Sequence, residues 1–529
     1  MTGDPSLVRI GASAGRDEQC LEQQAAKARP AMWPARRSRA RKPRLDDFPL
    51  ARVMAALDAV ELRGEPVAEA VACLGHEGKP LHPGAIRWGR HAVTAYLAGA
   101  AAIDTPAVTA VPHFWVAQRA DTPVTWEMYA WGRRYESPDR TTRELRLIRL
   151  GVADDSHRAP ANVAIAAYSA AFGGPAAWPE RWDEPFRPVN GPQVDVQRVR
   201  VLEVGLEDGS YVVLFDGTPR QAEALYAEHA RVLVREITVG GTPLPGTACA
   251  DCKLVTTCGA LPRIPGLLST TDPAGPMRTW SATNGRQYSV CPARDHLLRL
   301  KLPRENEYGP AAARGQAVHA WLAENHAGPL HPACTVWDIP AQPDDWTSGE
   351  WHVTGEQALA GARMLASHAD LCAFHHAGQI TEVRLEPTLA FHDTSANVIA
   401  IAKPDLLYLD DGAWVWRETK TRQQLPRPGP DLVRKFPQLA LAAVLMAENA
   451  LGGKPSGQRI ELELLAPEGG DVLLVDPSDS AEISKARAVL HDLAAPWHAD
   501  ETAAAHPGPH CADCPVRRWC PDADTEAAA

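Results

Sequence analysis

The sequence predicts an α/β protein whose second half contains a mixed central sheet flanked by helices, preceded by a duplicated, degenerate α/β half. Three observations support this prediction. Helical and strand-like hydrophobic patterns alternate along the chain, and its 529 residues exceed what one ordinary core needs. The tetrapeptide Cys-Ala-Asp-Cys also occurs twice, at 249–252 and at 511–514. We therefore expect two domains of related structure.

Changes in composition divide the chain into four segments. Residues 1–45 end in a basic run without acidic residues, which predicts a flexible arm, either a solvated tail or a DNA-binding segment. Residues 46–262 are expected to form the degenerate domain, 263–288 a linker, and 289–529 the second domain. The chain is 45% hydrophobic and has no long apolar run, so we expect a cytoplasmic protein that does not enter a membrane.

Similar features recur in the same order in the two halves. Each half ends in cysteines with the spacing C-x2-C-x5-C, and each has a similar apolar helix near its front, AVTAYLA at 92–98 and AVHAWLA at 317–323. A cysteine precedes each of these helices, Cys73 in the first half and Cys291 in the second. Three matching features in one order predict an internal duplication.

A predicted hairpin brings two carboxylates and a lysine together in the second half. Two strand patterns between residues 398 and 420 are joined by an Asp-Asp-Gly turn. Glu418 and Lys420 lie on one face of the second strand because side chains alternate, and the hairpin places Asp405 beside Glu418. Two carboxylates can bind Mg²⁺ or Mn²⁺, which acidifies a bound water molecule, and a lysine can orient that water or stabilise charge on a phosphate.

The order Pro-Asp405…Glu418-x-Lys420 resembles the signature of the PD-(D/E)XK nuclease superfamily, and the surrounding motifs resemble its RecB-like family. The resemblance covers most of residues 289–521. It implies a restriction-endonuclease-like core in which the two carboxylates bind Mg²⁺ or Mn²⁺ and all three side chains are catalytic.

Three further site residues are implied by the same resemblance. His319 ends a Gly-x-x-x-His motif and would be a metal ligand, as would Glu382 at the opening of the first core strand. Gln438, at the start of the helix after the Glu-x-Lys strand, would position that strand or the substrate. The chain departs from the family pattern at Ala402, where glycine is frequent, and at Ala442, where a tyrosine is expected.

The cysteines form two candidate metal sites. Some RecB-like nucleases have one cysteine before the core and three after it, and these hold a [4Fe–4S] cluster that joins the ends of the domain. Zn²⁺ is the alternative, because four thiolates suit either group. The matching residues here are Cys291, Cys511, Cys514 and Cys520. A second cluster is expected in the first half, unless that trio binds nothing, with the ligands Cys73, Cys249, Cys252 and Cys258.

The resemblance implies a metal-dependent deoxyribonuclease, acting on DNA ends or single strands in repair, recombination or defence. The sequence has no Gly-x-x-x-x-Gly-Lys-[Ser/Thr] loop and so no recognisable ATP motor. DNA is the expected partner, and a separate helicase or motor protein is a further candidate. Thr94 stands at the position of His319, and the first half has no equivalent of the Asp–Glu–Lys set. The alternative is a non-catalytic, metal-stabilised scaffold for DNA or a protein partner, which the net charge of −11 favours.

Overall fold

The computed structural model divides the chain into two compact units. Unit 1 comprises Met1–Ala260, Cys291–Glu305 and Glu501–Ala529, and unit 2 comprises Leu261–Val290 and Asn306–Asp500. Most of the basic run expected to form the flexible arm lies outside the described residues. The structure describes residues 3–15, 20–32, 44–75, 78–103, 107–121, 123–190, 194–305, 309–327, 333–375, 377–425 and 431–523.

Both units contain runs of helices and runs of strands. The helices are α1 (Leu21–Ala28), α2 (Pro49–Arg63), α3 (Val67–Ala72), α4 (Pro83–Ala102), α5 (Pro160–Phe172), α6 (Pro219–His229), α7 (Arg231–Val239), α8 (Ala282–Val290), α9 (Pro292–Arg299), α10 (Pro310–His326), α11 (Gly355–Leu371), α12 (Leu432–Lys435), α13 (Pro437–Ala447) and α14 (Ser480–Ala499). The strands are β1 (Leu7–Gly11), β2 (Thr109–Ala110), β3 (Phe114–Asp121), β4 (Val124–Tyr129), β5 (Arg133–Glu136), β6 (Thr142–Arg149), β7 (Gly174–Ala177), β8 (Arg187–Pro188), β9 (Arg198–Gly205), β10 (Tyr211–Gly217), β11 (Arg278–Trp280), β12 (Asp345–Ser348), β13 (Trp351–Thr354), β14 (Ile380–Leu385), β15 (Leu389–Asp393), β16 (Val398–Ala402), β17 (Leu406–Asp410), β18 (Ala413–Thr421), β19 (Arg459–Ala466) and β20 (Gly469–Val475).

Unit 2 is built around a five-stranded mixed sheet with the strand order β14-β17-β18-β19-β20. Helix α13 is apolar on all sides and packs, with α14, against the face that carries Trp414 and Trp416. Helices α10 and α11 belong to a separate apolar cluster that includes Leu465 of β19. Strand β18 lies in the middle of this sheet, so its side chains are mostly buried. The predicted mixed sheet flanked by helices is confirmed.

The main sheet of unit 1 has the same topology. Its order is β2-β5-β6-β9-β10, and β5–β6, β6–β9 and β9–β10 are antiparallel, parallel and antiparallel. The pairs β17–β18, β18–β19 and β19–β20 of unit 2 have the same directions. A helix connects the parallel pair in each sheet, α5 in one and α13 in the other, as a parallel connection requires. The arrangement β1-β4-β3 likewise recurs as β11-β16-β15. This correspondence supports the predicted duplication.

The unit boundaries differ from the expected domain boundaries. Cys291–Glu305 and Glu501–Ala529 belong to unit 1, although the sequence assigned both to the second domain, 289–529. Leu297 of α9 and Trp519 are buried in the same apolar cluster as α2 and α4, which accounts for their place in unit 1. Among the described residues, no helix combines the length and the apolar character needed to cross a membrane.

Candidate active site

The β17–β18 hairpin places the predicted catalytic residues. Leu406 pairs with Arg417 across the hairpin, so Asp405, which precedes Leu406, lies beside Glu418. The turn is tight because Asp411 and Gly412 both have positive φ, 50° and 84°, the conformation that a two-residue type I′ turn requires. The local sequence therefore determines which residue of the first strand meets the Glu-x-Lys strand.

Four side chains converge at this position. Lys420 Nζ lies 3.0 Å from Glu418 Oε2 and 3.2 Å from Asp405 Oδ2. The Thr419 backbone N–H donates to Asp405 Oδ2 at 2.7 Å, which fixes that carboxylate. His319 Nδ1 lies 3.5 Å from the other oxygen of Asp405. The structure thus brings together Asp405, Glu418, Lys420 and His319, as the resemblance implied.

Helix α10 carries His319 close to the sheet because of a glycine one turn earlier. Gly315 and His319 lie on one face of the helix at a spacing of four residues. A Cβ atom on Gly315 would lie 2.9 Å from Thr421 Oγ1 of β18, closer than such contacts normally come. The glycine of the Gly-x-x-x-His motif therefore permits the approach that lets the histidine reach Asp405.

The carboxylate of Glu418 is buried, with 4% of its side chain exposed. Burial raises the pKa of this carboxyl, and the Lys420 ammonium opposes that rise. Trp416 Nε1 donates to the second carboxylate oxygen at 3.1 Å. Burial also works against the charge on Lys420, but Glu418 and Asp405 raise the pKa of its ammonium above its usual value. Two carboxylates and an imidazole form a donor set suited to Mg²⁺ or, with its greater affinity for nitrogen, Mn²⁺.

The other face of β18 carries a buried ion network that the sequence analysis did not identify. Arg417 contacts Glu461 and Glu463 of β19 at 2.8 and 2.9 Å, and Thr419 Oγ1 donates to Glu463 at 2.9 Å. Burial disfavours ionisation of Glu463, but Arg417 and His368 hold the pKa of its carboxyl well below its usual range. The sequence feature that could have indicated this network is Glu461-Leu-Glu463, which places two acidic residues in a largely apolar strand.

Two implied site residues lie elsewhere. Glu382 is half-buried on β14 and pairs with Arg384 at 2.6 Å. It lies opposite Leu409 of β17, whereas Leu385 lies opposite Leu406, so the register does not bring Glu382 beside Asp405. Glu386, four residues later, lines a cavity together with His319 and Asp405, and its N–H donates to the Asp405 carbonyl. Gln438 is half-buried at the start of α13, and the described contacts do not link it to the four converging side chains. Its Oε1 atom is buried without a hydrogen-bond partner among the described residues.

The four cysteines that the resemblance assigns to the C-terminal cluster line one cavity in unit 1. Cys291 is the N-cap residue of α9, and its sulfur accepts a hydrogen bond from the His506 N–H at 3.4 Å. Cys511, Cys514 and Cys520 follow one another through two short 3₁₀ turns. The structure therefore assembles the predicted set of one early and three late cysteines.

In the first half of the chain, Cys20 and not Cys73 lies with the three cysteines of the C-x2-C-x5-C motif. Cys20 lines one cavity with Cys249, Cys252 and Cys258, whereas Cys73 is exposed at the end of α3. Cys20 is the N-cap residue of α1, and Cys291 holds the same position on α9. Cys20 was not among the predicted ligands, because it lies within the segment 1–45 that was expected to form a flexible arm.

Comparison with known families agrees with this geometry. Residues 279–521 match the family model of the PD-(D/E)XK nuclease superfamily. The matched range begins in β11 and contains all four converging side chains. The C-terminal half of the chain thus contains a domain of the PD-(D/E)XK fold. No curated protein matches the chain.

Proposed function

We propose that the protein is a Mg²⁺- or Mn²⁺-dependent deoxyribonuclease that hydrolyses phosphodiester bonds at DNA ends or in single strands. The match to a nuclease superfamily supports phosphodiester hydrolysis in general. The observation that carries the proposal is the convergence of Asp405, Glu418, Lys420 and His319 within 3.0–3.5 Å contacts. A solvated hairpin would not bury a carboxylate beside a second one and hold a lysine between them.

Each residue of this set has a distinct role in the proposed reaction. Asp405, Glu418 and His319 would hold the metal ion, which when bound acidifies a water molecule and offsets charge developing on the phosphate. The Thr419 N–H orients Asp405 by its hydrogen bond. Lys420 places its ammonium where it can hold the attacking water or contact a non-bridging phosphate oxygen. About a quarter of the Asp405 and Lys420 side chains is exposed, so a substrate phosphate can approach them.

The cysteines of the C-terminal site would hold a [4Fe–4S] cluster. Four thiolates suit either a cluster or Zn²⁺, and the resemblance to RecB-like nucleases with one early and three late cysteines favours the cluster. The ligands would be Cys291, Cys511, Cys514 and Cys520.

A second cluster site is proposed in the first half, with Cys20 in place of Cys73. Its other ligands would be Cys249, Cys252 and Cys258, which share a cavity with Cys20. Backbone N–H groups already donate to three of the sulfurs at 3.3 Å, as commonly stabilises thiolates. The alternative in which the trio binds nothing predicts no loss of metal when one of these cysteines is replaced.

Unit 1 would be a duplicated copy of the nuclease fold without nuclease chemistry. Arg133 pairs with Arg146 at the start of β5, as Leu406 pairs with Arg417 at the start of β17. Aligned in this way, the Asp–Glu–Lys set of unit 2 corresponds to Gly132, Leu147 and Arg149. None of these residues supplies a carboxylate, and no metal site of the same kind is expected there.

Digestion of end-labelled single- and double-stranded DNA tests the nuclease. Wild-type protein with Mg²⁺ or Mn²⁺ should cleave, and Lys420→Ala should lose about 100- to 1,000-fold in rate, the usual effect of removing one transition-state donor. Lys485→Ala is the matched control, because Lys485 is an exposed lysine with a single carboxylate partner in the same unit. Equal cleavage by all three proteins would show that the activity comes from a contaminant or from another site.

The absence of cleavage by folded, cluster-loaded wild-type protein would contradict the nuclease and favour a DNA- or partner-binding scaffold. The clusters are tested separately by iron and acid-labile sulfide content after anaerobic purification. Cys511→Ser should lower both contents relative to wild type. A colourless wild-type protein that contains zinc and no iron would contradict the [4Fe–4S] assignment.

A further inference from the structure

A second group of metal-ligating side chains lies inside unit 2, outside the sites described above. His326 ends α10, Cys334 follows in the connection to β12, and His368 and Cys372 lie at the end of α11. One potential ligand atom from each of the four lies within 4.8 Å of all the others, and no other such group occurs among the described residues. All four are buried, with relative exposures of 4%, 3%, 0% and 0%.

The spacing of these atoms fits a tetrahedral metal ion. Zn–N bonds of about 2.0 Å and Zn–S bonds of about 2.3 Å place tetrahedral ligand atoms roughly 3.3–3.8 Å apart. His326 Nε2 and Cys372 Sγ are 3.6 Å apart. His368 and Cys372 are four residues apart, so they lie on one face of α11. Two thiolates and two imidazoles are a common donor set of structural Zn²⁺ sites.

The surroundings of His368 orient it as a ligand. Its Nδ1 atom lies 2.7 Å from Glu463 Oε1, in the carboxylate–histidine arrangement found behind metal-bound imidazoles. Glu463 is in turn fixed by Arg417 and Thr419. The second ring nitrogen, Nε2, is buried and has no hydrogen-bond partner among the described residues. A buried imidazole nitrogen without a partner is costly, and a metal ion at this position would remove that cost.

The Cys372 sulfur also has a hydrogen bond that suits a metal ligand. Its sulfur accepts a hydrogen bond from the Cys334 backbone N–H at 3.3 Å, which favours a thiolate. The four side chains come from the ends of α10 and α11 and from the connection that follows α10. An ion bound to all four would therefore link these three parts of unit 2. His326 lies seven residues, about two turns, after His319 on α10.

We propose that His326, Cys334, His368 and Cys372 bind a structural Zn²⁺ ion that joins the ends of α10 and α11. All four ligands come from the protein and all are buried, so the site is closed and has no position for a substrate. The ion would fix the helix that carries His319. The proposal does not rest on the nuclease function, because zinc binding is measured without any substrate.

Metal content of the full-length protein tests the site. Wild type, Cys334→Ser/Cys372→Ser and the control Cys73→Ser would be purified anaerobically, saturated with Zn²⁺, desalted and analysed for zinc and iron. Cys73 is an exposed cysteine outside both four-cysteine cavities. The double variant should hold one zinc fewer per chain than wild type, with unchanged iron, and Cys73→Ser should match wild type. Equal zinc in folded wild type and double variant would overturn the proposal.

A measurement on wild-type protein alone covers the case in which the double variant does not fold. Diffraction from zinc-saturated crystals above and below the zinc absorption edge locates the ion directly. An anomalous peak between the two imidazoles and the two thiolates would confirm the site. No peak there, or a disulfide between Cys334 and Cys372 in protein kept reduced throughout, would overturn it, because either result means that the four side chains satisfy one another without metal.

Discussion

Replacing Lys420 by alanine should strengthen metal binding while it abolishes most of the catalysis. The Lys420 ammonium contacts Glu418 at 3.0 Å and Asp405 at 3.2 Å, so it occupies the carboxylate oxygens that a metal ion would use. Removing it leaves two carboxylates without a cation, one of them buried. A divalent ion should then bind more tightly, although the group that assists the reaction is gone.

The size of this effect follows from the geometry. Two unit charges about 4 Å apart interact by roughly 4 kcal/mol at an effective dielectric constant near 20. Lys420 and Asp405 expose 23% and 24% of their side chains, and burial of the ammonium already offsets part of its attraction. We therefore expect a net gain of about 1–2 kcal/mol in metal binding, which is roughly a 5- to 30-fold lower Kd for Mn²⁺. The rate should still fall by about 100- to 1,000-fold.

Both quantities can be measured on one preparation. Electron paramagnetic resonance of free Mn²⁺ gives the Kd, and single-turnover cleavage of labelled DNA at saturating Mn²⁺ gives the rate. Lys485→Ala should match wild type in both. A parallel loss of metal affinity and rate in Lys420→Ala would contradict this prediction, because Lys420 would then only hold the carboxylates in place. An unchanged rate would remove Lys420 from the catalytic set.

Four other substitutions test further parts of the structure. His319→Ala should raise the Mn²⁺ concentration for half-maximal cleavage by about tenfold or more, since a lost ligand worth about 1.4 kcal/mol has that effect. Arg417→Met should destabilise unit 2 by up to about 3–5 kcal/mol in denaturant unfolding, because it removes the buried cation that Glu461 and Glu463 share and leaves them only Arg459 and His368. Cys20→Ser should lower the iron content of the protein, whereas Cys73→Ser should leave it unchanged. The opposite result for the two cysteines would return Cys73 to the second cluster.

The active-site hairpin could be predicted because its geometry is local. A two-residue turn and the alternation of side chains along β18 are enough to bring Asp405, Glu418 and Lys420 together. His319 required a tertiary contact, and only the spacing of the Gly-x-x-x-His motif indicated it. Glu382 could not be placed from sequence alone. The position of a side chain along β14 depends on the pairing register of that strand and on the bend at Glu386, which has a positive φ of 43°.

The buried metal-ligand group was not predicted, since its two cysteines lie far apart in the sequence. Cys334 and Cys372 are 38 residues apart and show none of the close spacing that makes a cysteine trio recognisable. His326 and His368 lie within apolar helices, where a histidine is usually a packed core residue. Their role depends on how α10 and α11 pack against each other, which periodicity does not specify.

The proposed duplication would show which parts of the fold can change independently. The five-stranded sheets share order and strand direction, and a capping cysteine with a C-x2-C-x5-C trio occurs in both halves. The proposed catalytic positions differ, because Gly132, Leu147 and Arg149 align by strand pairing with the carboxylates and lysine of unit 2. A cysteine site that closes a long loop lowers the entropy of the unfolded chain in either copy, whereas buried carboxylates cost free energy unless a basic side chain or a metal ion pairs with them. A copy without nuclease activity would therefore keep its cysteines and lose the metal-binding carboxylates, as we propose for unit 1.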